Sequence, residues 1–254
     1  MRKIMSINYK FFNLSPAELV LLSKNKIDGF EIYLRNKAEY YYIDELAKLC
    51  KKEKLYLQVH GNIEENNFEE FLDEMNKISK ILCYPINIVF HSKISLNVNK
   101  SIKTTIDNFE KIFEYINRKK LNVVISIENL NSFGKIKRLN KKEILPILEH
   151  FENLKFTYDI GHELIEKGNI TDLDKICIDR LINTHIHTYK GKLDHHFIYN
   201  DDKNIYEINK AFNYLKEIKY DGSYVFEYDL YKSKGKNDIE KIEYFIKMIG
   251  EIEC

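Results

Sequence analysis

Three features of the 254-residue sequence predict an α/β protein folded as a single closed (β/α)8 barrel. Short apolar segments alternate eight times with roughly eight helical ones, the pattern of parallel strands joined by right-handed crossovers. Polar residues recur at the C-terminal ends of those segments, the rim where a barrel collects its functional groups. With 3 prolines, 9 glycines and no Gly/Ser-rich or low-complexity run, nothing divides the chain, and residues 1–254 read as one domain. The competing architecture is a doubly wound open sheet, which would normally carry a Gly-rich phosphate turn after its first strand; this sequence has none there.

The first strand is expected over residues 3–9. Ser15 as N-cap, Pro16 at the first helical position and Glu18 three residues past the cap then start a helix that runs to Ser23. A short apolar strand over 30–34 carries Glu31 inside it, and a helix over 40–52 places Leu46 and Leu49 on one face. The strand at 55–60 ends in His60. Phe68, Phe71, Leu72, Met75, Ile78 and Leu82 come next at three-and-four spacing, predicting a helix over 68–82. The strand at 86–90 runs into His91, a helix is expected over 101–117, and the strongest strand signal, 121–127, runs into Glu128. Beyond a polar loop at 131–140, a helix is expected over 141–151, with Pro146 implying a kink or a later start. The strand at 154–158 ends in Asp159, with His162 just beyond it, in the first turn of the next segment. A strand at 181–187, a helix at 205–218, a strand at 224–226 ending in Glu227 and a helix at 239–249 complete the alternation.

Composition narrows the function classes. With 40 basic against 39 acidic residues, the net charge of +1 provides no global field for nucleic acid or an anionic membrane. No apolar run approaches the roughly 20 residues that span a bilayer, and the opening MRKIMSINYKFF turns polar too soon for a signal peptide, so a cytoplasmic protein is expected. Cys50, Cys83, Cys177 and Cys254 form no CxxC pair and read as reduced thiols. The tyrosines and phenylalanines are numerous enough to furnish a homo-oligomer interface, though they map to no one patch.

The chemistry is densest in residues 182–197, INTHIHTYKGKLDHHF. His185 and His187 share one face of a strand; after the turn-like Lys190-Gly191-Lys192, Asp194 and His196 repeat the spacing, with His195 between them. Imidazoles and a carboxylate without a thiolate suit zinc, manganese or iron. His60, His91, Glu128, Asp159, His185 and Glu227 stand at the ends of six consecutive predicted strands. One such residue is more often a hydrogen-bonded rim group than a ligand. Six together are another matter, because three carboxylates beside several imidazoles are costly to bury without a cation. His150, on a predicted helix, reads as a surface residue.

These motifs, IEN at 127–129, YDIGH at 158–162, HIHTYKGKLDHH at 185–196 and FEY at 226–228, resemble those of the xylose isomerase-like TIM barrels over essentially the whole chain. That group includes sugar and sugar-phosphate isomerases and epimerases together with the endonuclease IV group of abasic-site nucleases. The resemblance to the isomerase branch implies Glu128, Asp159, His185 and Glu227 as ligands of one divalent metal. The resemblance to the nuclease branch implies three zinc ions shared among these four and His60, His91, His162, Asp194 and His196. One to three ions, zinc or manganese first, are thus expected.

Two enzymatic readings result. In a sugar or sugar-phosphate isomerase or epimerase, a metal stabilises the enediolate formed on proton loss, Glu128 and Glu227 serve as base and acid, and His162 or His187 positions a hydroxyl. Lys135, Lys137 and Arg138 are candidates to hold a substrate phosphate, against a solvated basic loop. In a zinc-dependent phosphodiesterase acting at abasic sites in DNA, clustered ions would generate hydroxide. The near-neutral charge, short loops, absence of Trp and a post-Glu128 loop reading Leu130-Asn131-Ser132-Phe133-Gly134 favour a small sugar. The run after His196 lacks the Pro- and Gly-containing turn of many relatives, and Tyr199 within it is either a sugar-stacking or gating residue or an aromatic packed on the rim. A metal- or sugar-binding sensor and a redox iron site are the remaining readings.

Overall fold

Every strand expected from the sequence is present in the computed structural model, which describes residues 2–8, 14–34, 37–61, 68–132, 138–166, 168–190, 194–197, 202–229 and 235–252. The strands are β1 (Arg2–Asn8), β2 (Gly29–Tyr33), β3 (Tyr56–Gly61), β4 (Ile86–His91), β5 (Val123–Glu128), β6 (Lys155–Asp159), β7 (Leu181–Ile186), β8 (Thr188–Lys190), β9 (Asp194–Phe197) and β10 (Ser223–Phe226). Eight of them close into a parallel barrel in the order β1-β10-β7-β6-β5-β4-β3-β2, while β8 and β9 form a separate antiparallel pair.

Helices α1 (Pro16–Ser23), α2 (Tyr40–Glu53), α3 (Phe68–Leu82), α4 (Val98–Lys119), α5 (Leu145–His150), α6 (Ile160–Ile165), α7 (Lys175–Arg180), α8 (Asp202–Glu217) and α9 (Asp238–Glu251) connect the strands. Ser15 and Glu18 form the expected reciprocal cap of α1. Helix α4 begins three residues before the expected start because the Asn97 side chain accepts from the Lys100 amide and caps it. Pro146 lies in the first turn of α5, where a missing amide hydrogen costs nothing, so that helix starts late rather than kinking. Helices α2 and α4 both stop on a lysine in the left-handed region, Lys54 (φ 60°) and Lys120 (φ 53°).

Two shells account for the interior. Outward-facing strand residues such as Phe30, Ile32, Leu57, Ile88, Ile127 and Phe156 pack with helix residues including Leu46, Leu72, Phe109, Ile147 and Phe245 in one apolar cluster. The alternate residues face the lumen, and there six of the eight strands contribute a buried polar residue, Ser6, Glu31, Gln58, Ser126, Thr157 and Asn183. Register aligns them: Ser6 is beside Glu31, Glu31 beside Gln58, and Thr157 beside Asn183. Above this tier, at the C-terminal ends of the strands, come His60, His91, Glu128, Asp159 and His185.

Candidate metal centre

Hydrogen bonds between non-adjacent strands show that the rim residues point into the lumen. Glu128, ending β5, is 1% exposed; its Oε2 lies 3.0 Å from Nε2 of both His60 and His91, and its Oε1 lies 3.0 Å from Nδ1 of His185. The same Nδ1 is 3.3 Å from Glu227 Oε2 and 3.9 Å from Asp159 Oδ2. The ends of β5, β6 and β7 and the residue that follows β10 thus bring one donor each to a common point.

The next-nearest residues are placed by local backbone chemistry. Asp159 ends β6 and also caps α6, its Oδ1 accepting from the His162 amide at 2.6 Å, which fixes His162 in the first turn beside the carboxylates. Asn129 clamps β5 to β6: its Oδ1 accepts from the Asp159 amide at 2.7 Å and its Nδ2 donates to the Asp159 carbonyl at 3.0 Å. His187 lies just past β7, fully buried, with Nε2 3.1 Å from Asp159 Oδ1. The β8–β9 pair folds the chain back so that the His196 ring comes within 4.4 Å of His187 and 6.2 Å of His162, centroid to centroid.

Three donor sets result, each with ligand atoms within 4.8 Å of one another: Glu128, Asp159, His185 and Glu227; His60, His91 and Glu128; and His162, His187 and His196. Glu128 belongs to two of them. Eight of the nine residues expected as ligands therefore meet at one place. The side chain of Asp194 lies outside the described residues, as do Lys135, Lys137 and Tyr199. Arg138 is half-buried on the loop between β5 and α5, and has no contact with the cluster among the described residues. His150 is half-exposed on α5 and pairs with Glu110, as a surface residue should.

The electrostatics are those of a site built around positive charge. Burial pushes Glu128 up, but the charge of His185 and hydrogen bonds from His185, His60 and His91 outweigh it and hold the carboxyl well below its usual range. Glu227 is likewise held well below that range, burial being overcome by His196 and His185. Burial dominates at Asp159 and pushes it well above the carboxylate range. It also lowers His91 and His162, and takes His187 down to about 4, leaving imidazoles that are neutral near pH 7. His185 moves the other way: burial is overcome by Glu31 and Glu128 and its pKa rises well above 6.5. Among the described residues, every ion-pair partner of Glu128, Asp159 and Glu227 is an imidazole, with no Lys or Arg. Carboxyl groups and imidazoles at this spacing, without thiolate, could hold a divalent cation.

The xylose isomerase-like TIM barrel family matches residues 19–248. The chain belongs to this family. A comparison with curated protein sequences returned no match. Among solved structures, a D-tagatose 3-epimerase-like protein is similar at 20% identity and a TM-score of 0.71, covering 98% of this chain and 97% of the other. D-psicose 3-epimerase from Clostridium cellulolyticum H10 is similar at 16% identity and a TM-score of 0.68, covering 98% and 96%. The 3-keto-D-glucoside 4-epimerase of E. coli is similar at 14% identity and a TM-score of 0.65, covering 98% of both chains. At these identities the likeness is one of fold.

Glu31 and Asn129 are the residues of this centre that sequence reasoning did not assign. Asn129 directly succeeds a strand-end glutamate, a position from which it can reach the next strand. Glu31 sits in the middle of an apolar strand on the lumen-facing parity, and an acidic residue there is itself a signal.

Proposed function

We propose that this protein is a divalent-metal-dependent isomerase or epimerase acting on a small sugar or sugar phosphate by proton transfer. The observation that carries this reading is the placement of Glu128 and Glu227: two carboxylates from different sides of the barrel, both within 3.3 Å of His185 Nδ1 and in one donor set with Asp159. The epimerase names of the three structural neighbours support it, and because they cover more than one carbon position they do not select a stereocentre.

Glu128, Asp159, His185 and Glu227 would hold the ion. When bound, it supplies the positive charge that orients two substrate oxygens and stabilises the anion left by proton loss next to a carbonyl. The protein's own groups do the rest. Glu227 is 18% exposed at its side chain and reaches the open rim, whereas Glu128 is anchored by three imidazoles; together they flank the sugar carbon, one removing a proton and the other returning it. His162 lies against both Asp159 and Glu128, close enough to guide a substrate hydroxyl, while His187 acts by fixing Asp159. Burial of this cluster keeps water from the deprotonated substrate.

The second reading, zinc-dependent cleavage of phosphodiesters at abasic sites, rests on the two additional donor sets, His60/His91/Glu128 and His162/His187/His196. Metal content per chain, combined with assay, separates the two. One ion per chain together with exchange of a sugar C–H proton into deuterated water, lost in Glu128→Gln and Glu227→Gln, supports the epimerase. Two or three ions, no exchange on any ketose, and cleavage of abasic-site DNA would replace it with the nuclease.

A further inference from the structure

We propose that Glu31 is a positioning residue of the metal centre: from the polar tier beneath the site it fixes the orientation and tautomer of His185, so that Nδ1 is the nitrogen presented to the ion. This rests on the metal-dependent reading of the site.

Glu31 lies in the middle of β2, is fully buried, and shares no strand border with β7. Its carboxylate nevertheless spans the lumen to meet His185, with Oε2 3.1 Å from Nε2. The same Oε2 accepts from Gln58 Nε2 at 2.6 Å and Oε1 accepts from Ser6 Oγ at 3.4 Å; the Asn183 amide lies 3.5 Å from Oε2 and 3.2 Å from His185 Nε2 by its nitrogen, while its Oδ1 has no partner. Amide and hydroxyl donors thus hold the carboxylate in place, and Oε2 is committed to accepting. An accepting oxygen at 3.1 Å places the hydrogen on His185 Nε2, and the Asn183 amide, turned over, meets that hydrogen with its otherwise unpartnered oxygen instead of a second donor. The nitrogen left to give its lone pair to an ion is then Nδ1, the atom 3.0 Å from Glu128 and 3.3 Å from Glu227.

A ligating histidine whose second nitrogen donates to a carboxylate is the usual way a ring is held and its basicity raised, and removing such a partner weakens metal binding about 10- to 100-fold. A purely structural Glu31 would predict something different. It would satisfy the tier of Ser6, Gln58 and Asn183, and its loss would lower stability without altering how His185 meets the metal.

The test uses the full chain with zinc or cobalt as the probe. In the zinc-loaded wild type, long-range 1H–15N correlation should show His185 with a protonated, hydrogen-bonded Nε2 and a metal-shifted Nδ1. Glu31→Gln keeps the shape but offers an amide that can donate to Nε2. It should weaken cobalt binding about 10-fold or more and change the visible spectrum of the bound cobalt, with thermal unfolding still cooperative. The proposal is overturned if Glu31→Gln binds cobalt with wild-type affinity and spectrum. It is equally overturned, whether or not that variant folds, if the wild-type spectrum shows Nε2 on the metal. Wild-type protein that takes up neither ion overturns the metal reading itself, which distinguishes that failure from the other two.

Discussion

An ideal Cβ on Gly161 would overlap the ring of His187 at Cε1, Nδ1 and Nε2 alike. The glycine of the YDIGH motif thus makes room for an imidazole twenty-six residues further on, the one whose Nε2 meets Asp159. Gly161→Ala must displace either that ring or the start of α6. Expected are a loss of about 1–3 kcal/mol in stability from overpacking and about 10-fold weaker metal binding as Asp159 loses its partner. Chemical denaturation and metal titration read the two effects. Adding His187→Ala removes the overlapping ring, so the double variant should recover stability but not metal affinity, a coupling that independent sites would not give.

Glu128 serves two donor sets through its two oxygens, whereas Glu227 serves one. Both carboxylates belong to the set that would hold the single ion, so Glu128→Gln and Glu227→Gln should each weaken its uptake, and Glu128→Gln in addition takes from His60 and His91 their common partner. Elemental analysis after equilibrium dialysis against zinc checks this. Wild-type uptake in either variant would remove that carboxylate from the site, and a further ion lost in Glu128→Gln but kept in Glu227→Gln would favour the nuclease reading.

Lys141 and Glu163 form an ion pair at 3.2 Å with both side chains 6% exposed, and Lys141 also donates to the Asn169 carbonyl. Lys141→Met leaves a carboxylate buried without its cation, a change that costs about 3–5 kcal/mol. Replacing both, Lys141→Met with Glu163→Leu, should return most of that loss in urea denaturation, because the pair's attraction largely offsets its desolvation.

Burial pushes the thiols of Cys50 and Cys177 up to about 12, whereas Cys83 is exposed on a left-handed turn. At pH 8 an aromatic disulfide reagent should titrate Cys83 in the folded protein and reach Cys50 and Cys177 only after denaturation. The same shifts set an alkaline limit. A thiol whose pKa is about 9 unfolded and about 12 folded contributes stability that is intact below pH 9 and falls as pH rises towards 12. Denaturation midpoints should hold to pH 9 and then decline, less steeply in Cys177→Ala.

How much of this could be read from the chain depends on length scale. The barrel strands were legible because each is a short apolar run ending in a polar group, and the long helices because three-and-four spacing persists over several turns, as in Phe68–Leu82. Helices α6 and α7, six residues each, are too short for periodicity to register. The β8–β9 pair reads only as a polar break, since strands of three and four residues carry too little alternation. The ligands were legible because strand ends converge on one rim. Glu31 was not, because it lies one tier below that rim, and nothing local in Gly-Phe-Glu-Ile-Tyr says that its partner is His185 on the far side of the lumen.

The separation of the two shells has a consequence for how such a barrel diverges. Folding free energy is concentrated in the annulus between strands and helices, where Phe109, Phe156 and Phe245 permit only exchanges that conserve volume. The lumen contributes less apolar burial, from Ile4, Val89 and Val225; beside them Ser6, Gln58, Ser126, Thr157 and Asn183 form a polar lining that descends from the rim into the heart of the molecule. Lineages can rewrite that lining, ligand by ligand, while the annulus keeps the scaffold standing. Relatives can therefore drift to a sixth or less of shared sequence with the barrel still superimposable, and the record of what each one does should be sought down its axis rather than across its surface.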